Sequence, residues 1–375
     1  VLAYLDHAAS GPLRPTAAEA MIPWLTARYG NPSGAHQISR AARAAVDDSR
    51  DALAAALGVH PGDVTFTSGG TEADNLAVLG ALAATPGPVV VSAVEHPAVI
   101  EAAAASGQEV RVVPVDPDGL IDLDALAVLL DRTVSLVSVQ LANHETGVVQ
   151  PLPDVARLVR RHAPQALLHT DAVQAAPWFD LARAAQDADL VSISGHKLGG
   201  PQGTGVLAGR GRPALRPILH GGGQERELRS GTPNVAGIVG LGVAVTDAGV
   251  ERDAAVARVG ALRDALAGRL RAAVPDAIET AAAVPRTPGH LHLRLAGVES
   301  EALLILLDEA GLCASAGAAC ASGAMEPSPV LLAMGVPKHE ALSALRLTLG
   351  AATTAAEVEL ASAVVPVAVA RLRAV

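Results

Sequence analysis

Aromatic side chains are nearly absent: two Phe, two Tyr and two Trp make up 2% of the 375 residues. Half of the chain is still apolar, so a core has to be built from Ala, Leu and Val. Lysine is scarcer again. Lys197 and Lys338 are the only two, and the rest of the 28 basic residues are arginine. No basic block exists, and the net charge is −10, which argues against nucleic-acid binding as the main role. Two cysteines, Cys313 and Cys320, cannot make a disulfide framework. The most apolar segments are broken by Asp, Glu, Pro or Gly before reaching a membrane-spanning length of about 20 residues. The opening residues show no cationic stretch followed by an apolar one. These absences lead to the expectation of a cytoplasmic protein with neither membrane nor nucleic acid as a direct partner. The length allows two domains and an extensive core.

What is present alternates. Strand candidates are Val64–Thr67, Val89–Ser92, Val110–Val115, Val134–Gln140, Ala166–Thr170, Leu190–Ile193 and Gly205–Ala208. Helical stretches follow most of them: Glu72–Ala83, Ala98–Ala105, Leu123–Leu130 and Asp154–His162. Apolar strands alternating with helices predict an α/β fold, a mostly parallel seven-stranded sheet covered by helices. Ahead of them, His36 to Leu57 carries the pattern of a long amphipathic helix. After the glycine-rich segment Gly221–Thr232 the pattern predicts two helices, Asn234–Val245 and Glu251–Ala273. The second leads into a smaller α+β domain with strands His290–Leu295 and Leu345–Leu349. The expected division is a large domain, 13–248, and a small one made of 1–12 and 249–375.

Ligands of parallel sheets bind at the carboxyl ends of strands, and the polar residues of interest cluster there. Asp189–Ile193 empties into Ser194, Gly195, His196 and Lys197, followed by Gly199, Gly200, Gly203 and Gly205. A composition that has turned nearly every other basic position into arginine keeps an amine here. A guanidinium cannot form an imine with an aldehyde, whereas lysine can, so Lys197 reads as a Schiff-base lysine and Lys338, beside Pro337, as a surface charge. Thr67-Ser-Gly-Gly-Thr71-Glu72, between strand and helix, suits a phosphate through free N–H groups and the helix dipole, although Thr71 could equally be a plain N-cap. Asp171, just past a strand, is a loop cap or the carboxylate that a pyridine nitrogen needs, with Gln174 one turn on. His96, after Glu95, is a flat group able to stack on a ring or to serve structure. Cys313 sits in the apolar run Gly311-Leu-Cys-Ala and reads as buried and inert. Cys320, among Gly, Ala and Ser, reads as a nucleophile acting as thiolate. Arg346 is a fork for a substrate carboxylate or a surface salt bridge.

Together these segments resemble the pyridoxal-phosphate-dependent cysteine desulfurases of fold-type I, the class V aminotransferase group. The resemblance is carried by Tyr4-Leu-Asp, Gly30-Asn31-Pro-Ser, Thr67–Asn75, Glu95-His96, Asn143-His-Glu-Thr-Gly147, His169–Gln174, Ser194-Gly-His-Lys197, Gly221–Arg226, Arg229–Thr232 and Ala319-Cys320-Ala-Ser-Gly323, in family order. The small-residue run before Cys320 is similar to the long-loop branch of the nitrogenase and iron–sulfur-cluster enzymes. The resemblance implies pyridoxal 5'-phosphate held on Lys197, with Asp171 at the pyridine nitrogen, Gln174 and His144 at the phenolic oxygen, and His96 on the ring. It implies a phosphate held by Gly70, Thr71, Ser194 and His196, joined by Thr232 of a second copy in a homodimer. Asn31 and Arg346 would bind substrate, and Cys320 would take the sulfur of L-cysteine as a persulfide, leaving L-alanine. The sulfur would pass to an acceptor protein, scaffold or relay, supplying iron–sulfur clusters, thio-cofactors or tRNA thiolation. No metal is expected. One departure stands out: the family usually has a second Asn where this chain has His144, and an imidazole there brings a titratable group to the ring. The alternative is a selenocysteine lyase or another class V enzyme, in which Cys320 would be dispensable.

Overall fold

Short stretches of three to five residues, mostly Val, Leu and Ile with Ser or Thr among them, form strands buried on both faces. The computed structural model describes residues 2–317 and 326–374. The chain opens with β1 (Ala3–Tyr4), α1 (Pro15–Thr26) and α2 (Gln37–Leu57). The alternating part follows: β2 (Val64–Thr67), α3 (Gly70–Ala84), β3 (Val89–Ser92), α4 (Pro97–Ala105), β4 (Val110–Val113) and α5 (Leu123–Leu129). It continues through β5 (Leu136–Ser138), α6 (Leu152–His162), β6 (Leu167–Asp171), α7 (Leu181–Ala184), β7 (Leu190–Ser194) and β8 (Gly205–Gly209). The last third holds α8 (Val235–Ala273), β9 (Ile278–Glu279), β10 (His290–Arg294), α9 (Ser300–Glu309) and β11 (Leu312–Cys313). It ends with α10 (Pro329–Ala333), α11 (Lys338–Ala341), β12 (Ala344–Thr348) and α12 (Ala355–Arg373).

Seven strands make one sheet in the order β2-β8-β7-β6-β5-β3-β4. The pairs β4–β3, β3–β5, β5–β6 and β6–β7 are parallel, and β8 runs antiparallel to both β7 and β2. Six strands therefore end at the same edge, which brings the residues after Thr67, Ser92, Ser138, Asp171 and Ser194 together although up to 127 positions separate Thr67 from Ser194. One apolar cluster, including Val137, Leu168, Val191 and Leu241, covers one region of the sheet. A second, with Leu76, Val91, Leu136 and Leu207, lies under α3 and α4. Leu and Val fill both, as the shortage of aromatics requires.

The smaller α+β part contains the antiparallel sheet β12-β10-β9 and the parallel pair β1–β11. It has its own core of Leu266, Leu291, Leu303, Leu345 and Val365, joined by Ala3 and Leu5 from the start of the chain. The two helices expected over 234–273 are one helix of 39 residues, α8. Gly249 costs about 1 kcal/mol in a helix interior, which the packing outweighs: Ile238, Leu241 and Val245 bury in the first core and Val259, Leu266 and Leu270 in the small one. A single rigid rod thus joins the two cores.

Candidate active site

The cavity at the common strand edge has a volume of about 730 Å³. Its floor begins where β2 turns into α3. The N-cap of α3 is Gly69, which has no side chain to offer; Thr71 is inside the helix and is not its cap. The amides of the first turn are therefore free to point at a ligand, with the positive end of the helix dipole behind them. Gly70 permits a close approach: a Cβ there would lie 2.8 Å from Val173 Cγ2. Ser194, at the end of β7, and His196 line the same corner. His196 bonds Ser10 Oγ at 3.2 Å, and burial with the Lys197 charge lowers its pKa to about 4.

Asp171 closes β6. Its Oδ1 accepts the Val173 N–H at 2.8 Å. Burial raises its pKa, while His96, the Val173 amide and Lys197 pull the other way. Two further acids line the cavity beside it, Asp74 and Glu95, both buried. Burial and the Asp171 charge push Asp74 well up. Glu95 Oε1 accepts the Gln140 N–H at 2.6 Å, yet burial raises its pKa to about 8. Burial thus favours the neutral form of both. No role was assigned to either from sequence; an acid inside the buried face Ala73–Ala77, and another straight after an apolar strand, was the available signal.

Lys197, at the end of the turn after β7, also lines the cavity. Its Nζ donates to the Ala8 carbonyl and, at 2.7 Å, to that of Ala9. Burial first, then Arg346, brings its pKa down to about 8 against the opposing pull of Asp6 and Asp171. Gln174 Nε2 donates to the same Ala8 carbonyl at 2.9 Å. The stretch 8–10 thus lies across the site, a contact that sequence periodicity does not reveal.

The remaining wall is built by β3, the turn after β5, and β12. His96 caps α4 through Nδ1, accepting the Ala98 N–H at 3.1 Å, and its ring meets that of His144 edge-on, centroids 5.1 Å apart. The His144 Nδ1 is buried with no hydrogen-bond partner among the described residues. Burial, His96, Arg346 and Lys197 all push its pKa well below the usual imidazole range, so it presents a neutral ring. The extra charge expected from this departure is not there. Arg346, 5% exposed, is no surface salt bridge: it donates to the His144 carbonyl at 2.9 Å and to Asp6 Oδ1 at 2.8 Å.

Ten of the expected residues thus meet around one cavity: Gly70, Thr71, His96, His144, Asp171, Gln174, Ser194, His196, Lys197 and Arg346. Asn31 does not. It is exposed, and its Oδ1 accepts the Ser33 N–H at 3.0 Å in a local turn; Gly-Asn-Pro-Ser is turn chemistry first. Thr232 is also exposed and away from the cavity within one chain. Cys320 lies outside the described residues. Cys313, expected to be buried, is half-buried on β11, because a two-residue edge strand covers only one side of it. Burial, Asp308 and Asp6 raise its thiol pKa.

A free helix start suits a phosphate. A partly neutral amine in one cavity with a buried carboxylate suits an aldehyde on a pyridine ring. The orphaned His144 nitrogen and the open space beside Gly69 leave room and polarity for such a group, so the residues present fit pyridoxal phosphate. The class defined by fold and site is that of the pyridoxal-phosphate enzymes. The comparisons narrow it. The model of the family "Aminotransferase class-V" matches residues 3–360. A cysteine desulfurase of Cereibacter sphaeroides is 42% identical, covering 99% of this chain and 96% of that one. The cysteine desulfurase NifS of Azotobacter vinelandii is 39% identical over 99% and 93%. A solved NifS-like protein superposes with a TM-score of 0.91 at 32% identity, covering 98% of both chains. This chain belongs to the class V aminotransferase family, among its cysteine desulfurases.

Proposed function

We propose that the protein converts L-cysteine to L-alanine, takes the sulfur onto Cys320 as a persulfide, and hands it to an acceptor protein, scaffold or relay. The observation that carries this reading is the meeting of Lys197 and Asp171 in a cavity whose wall includes Ser315, Gly317 and Glu326, residues on either side of the segment that holds Cys320. When bound, pyridoxal phosphate supplies the electron sink that accepts the pair released at the substrate carbon. Asp171 would pair with the ring nitrogen, His96 would pack against the ring, and His144 and Gln174 would serve the phenolic oxygen. The amides of Gly70 and Thr71, with Ser194 and His196, hold the phosphate. Arg346 orients the substrate carboxylate. Lys197 Nζ takes the α-proton and returns one to carbon. The Cys320 thiolate attacks the substrate sulfur, so that an S–S bond forms as the C–S bond breaks. The protein gains one sulfur atom and the carbon skeleton leaves as alanine.

The domain division follows the cores: 13–248 as the cofactor-binding part, and 1–12 with 249–375 as the small part bearing the cysteine segment. It is supported by β1 pairing with β11. A two-fold dimer, in which Thr232 completes the phosphate site of the other copy, is supported by the exposed apolar residues Ile22, Leu25, Tyr29, Ile38 and Leu219. Sedimentation of a fully active single copy would refute it. A cytoplasmic setting is part of the proposal; among the described residues no helix is long and apolar enough to cross a membrane.

The test is sulfide release from L-cysteine by the loaded protein and by its Cys320→Ser variant. The variant is expected to keep its visible cofactor band and lose sulfide release, and the wild type to carry one added sulfur on the Cys320 peptide. Wild-type release by Cys320→Ser would replace this reading with a lyase or other class V reaction.

A further inference from the structure

Glu145 follows His144 in the turn Asn143–Gly147, and its side chain is 3% exposed. The turn does not need that carboxylate. Asn143 Oδ1 already accepts the N–H groups of Glu145 at 2.9 Å and Thr146 at 2.8 Å, and Gly147 takes the positive φ of +77°. The Glu145 side chain turns instead toward the far part of the chain. Its Oε2 accepts a hydrogen bond from Ser328 Oγ at 2.6 Å. Ser328 in turn caps α10, accepting the Leu331 N–H at 3.1 Å. The same Oε2 borders Gly317, where an added Cβ would sit 3.0 Å away and where φ is +96°. Just before it, Ser315 and Arg346 exchange backbone hydrogen bonds of 3.2 and 2.6 Å. One buried oxygen therefore bonds the chain at position 328 and stands next to it at position 317.

A buried acid is costly unless it is bonded, and apolar packing could fill the same space. Burial raises the Glu145 pKa, with Ser328 and Arg346 opposing it. A carboxylate kept at that cost, between the substrate fork and both flanks of one segment, has a positional use.

We propose that Glu145 is a positioning residue for sulfur transfer, holding Ser328 and abutting Gly317 so that the described residues flanking Cys320 stay at the wall of the substrate cavity. This rests on the reading of Cys320 as the sulfur acceptor. Glu145 also lines the cavity, with its Oε1 3.7 Å from His144 Nε2; the role proposed for it is exerted through the placement of the chain.

The experiment uses the loaded protein and four variants: Glu145→Ala, Glu145→Gln, Ser328→Ala and the double variant Glu145→Ala with Ser328→Ala. Glu145→Ala is expected to lower kcat for sulfide release by on the order of 10- to 100-fold, the cost of misplacing a reacting group, with KM and the cofactor band unchanged. Glu145→Gln keeps an oxygen for the Ser328 hydroxyl and is expected to stay close to wild type. Ser328→Ala should lower kcat in the same direction as Glu145→Ala, and the double variant should lose less than the sum of the two effects, because the Glu145–Ser328 bond is lost in both. Persulfide accumulation on the Cys320 peptide should slow in parallel. Wild-type kcat in Glu145→Ala overturns the proposal, as does additive loss in the double variant or equal damage in Glu145→Gln. If Glu145→Ala loses its cofactor band, Ser328→Ala decides alone. The Cys320→Ser variant separates the two ideas: its full activity sinks the desulfurase reading, whereas its inactivity beside an unimpaired Glu145→Ala sinks only this one.

Discussion

Arg346 Nη2 lies 2.8 Å from Asp6 Oδ1, a bond between residues 340 positions apart that ties the start of the chain to β12 at the edge of the substrate cavity. The pair is largely sheltered, so it is stronger than an exposed ion pair, yet it occupies one arm of the guanidinium fork. A substrate carboxylate must be bound beside Asp6 or in its place. Arg346→Lys keeps the charge and loses the planar fork. It is expected to raise KM for cysteine by about tenfold or more, the worth of a lost charge-assisted bond of about 1.5–3 kcal/mol, with kcat less affected. An unchanged KM would remove Arg346 from substrate binding.

The Lys197 amine has its pKa lowered to about 8. Only the neutral amine attacks an aldehyde, and it becomes the main form as pH rises through that value. Loading of cofactor-free protein, followed by its visible band, is therefore expected to speed up between pH 7 and 9 and then level off. Borohydride should fix the cofactor to the Lys197 peptide, and Lys197→Arg should show neither band nor label. Labelling at Lys338, or a rate flat across this range, would contradict the assignment.

Glu95 makes a stability prediction. Burial lifts its pKa from 4.5 to about 8, so between these values the folded protein holds a proton that the unfolded chain has released. Stability therefore falls as pH rises through this window. Asp74, Asp171 and Glu145 are raised in the same direction, so the test is the difference between the wild-type slope and that of the variant. Glu95→Gln should make the slope shallower by one proton, ~1.4 kcal/mol per pH unit, when urea unfolding is compared at pH 6 and 7. Equal slopes for both proteins would show that Glu95 is already ionised.

All seven strands of the large sheet were legible before any coordinates, because each is a short apolar run bounded by turn formers and such signals are local. The place of Lys197 and Asp171 at the cavity was legible for the same reason: each stands where a buried strand ends. The break expected near Gly249 was wrong because a single glycine is a weak local signal, and the two cores at either end of α8 overrode it. Asn31 stood out through a turn motif that its own backbone already explains.

What only the tertiary structure decided are the relations between distant residues and the burial they create. Ala8 lies under Lys197, Asp6 against Arg346, and Ser328 on Glu145, pairs separated by 189, 340 and 183 positions. No periodicity of 2 or 3.6 residues reports on contacts of that separation. Burial likewise belongs to the folded whole. Asp74, Glu95 and His144 are ordinary titratable residues in the chain, and in the fold all three are pushed toward their neutral forms because the strands around them exclude the water that would stabilise the charged ones.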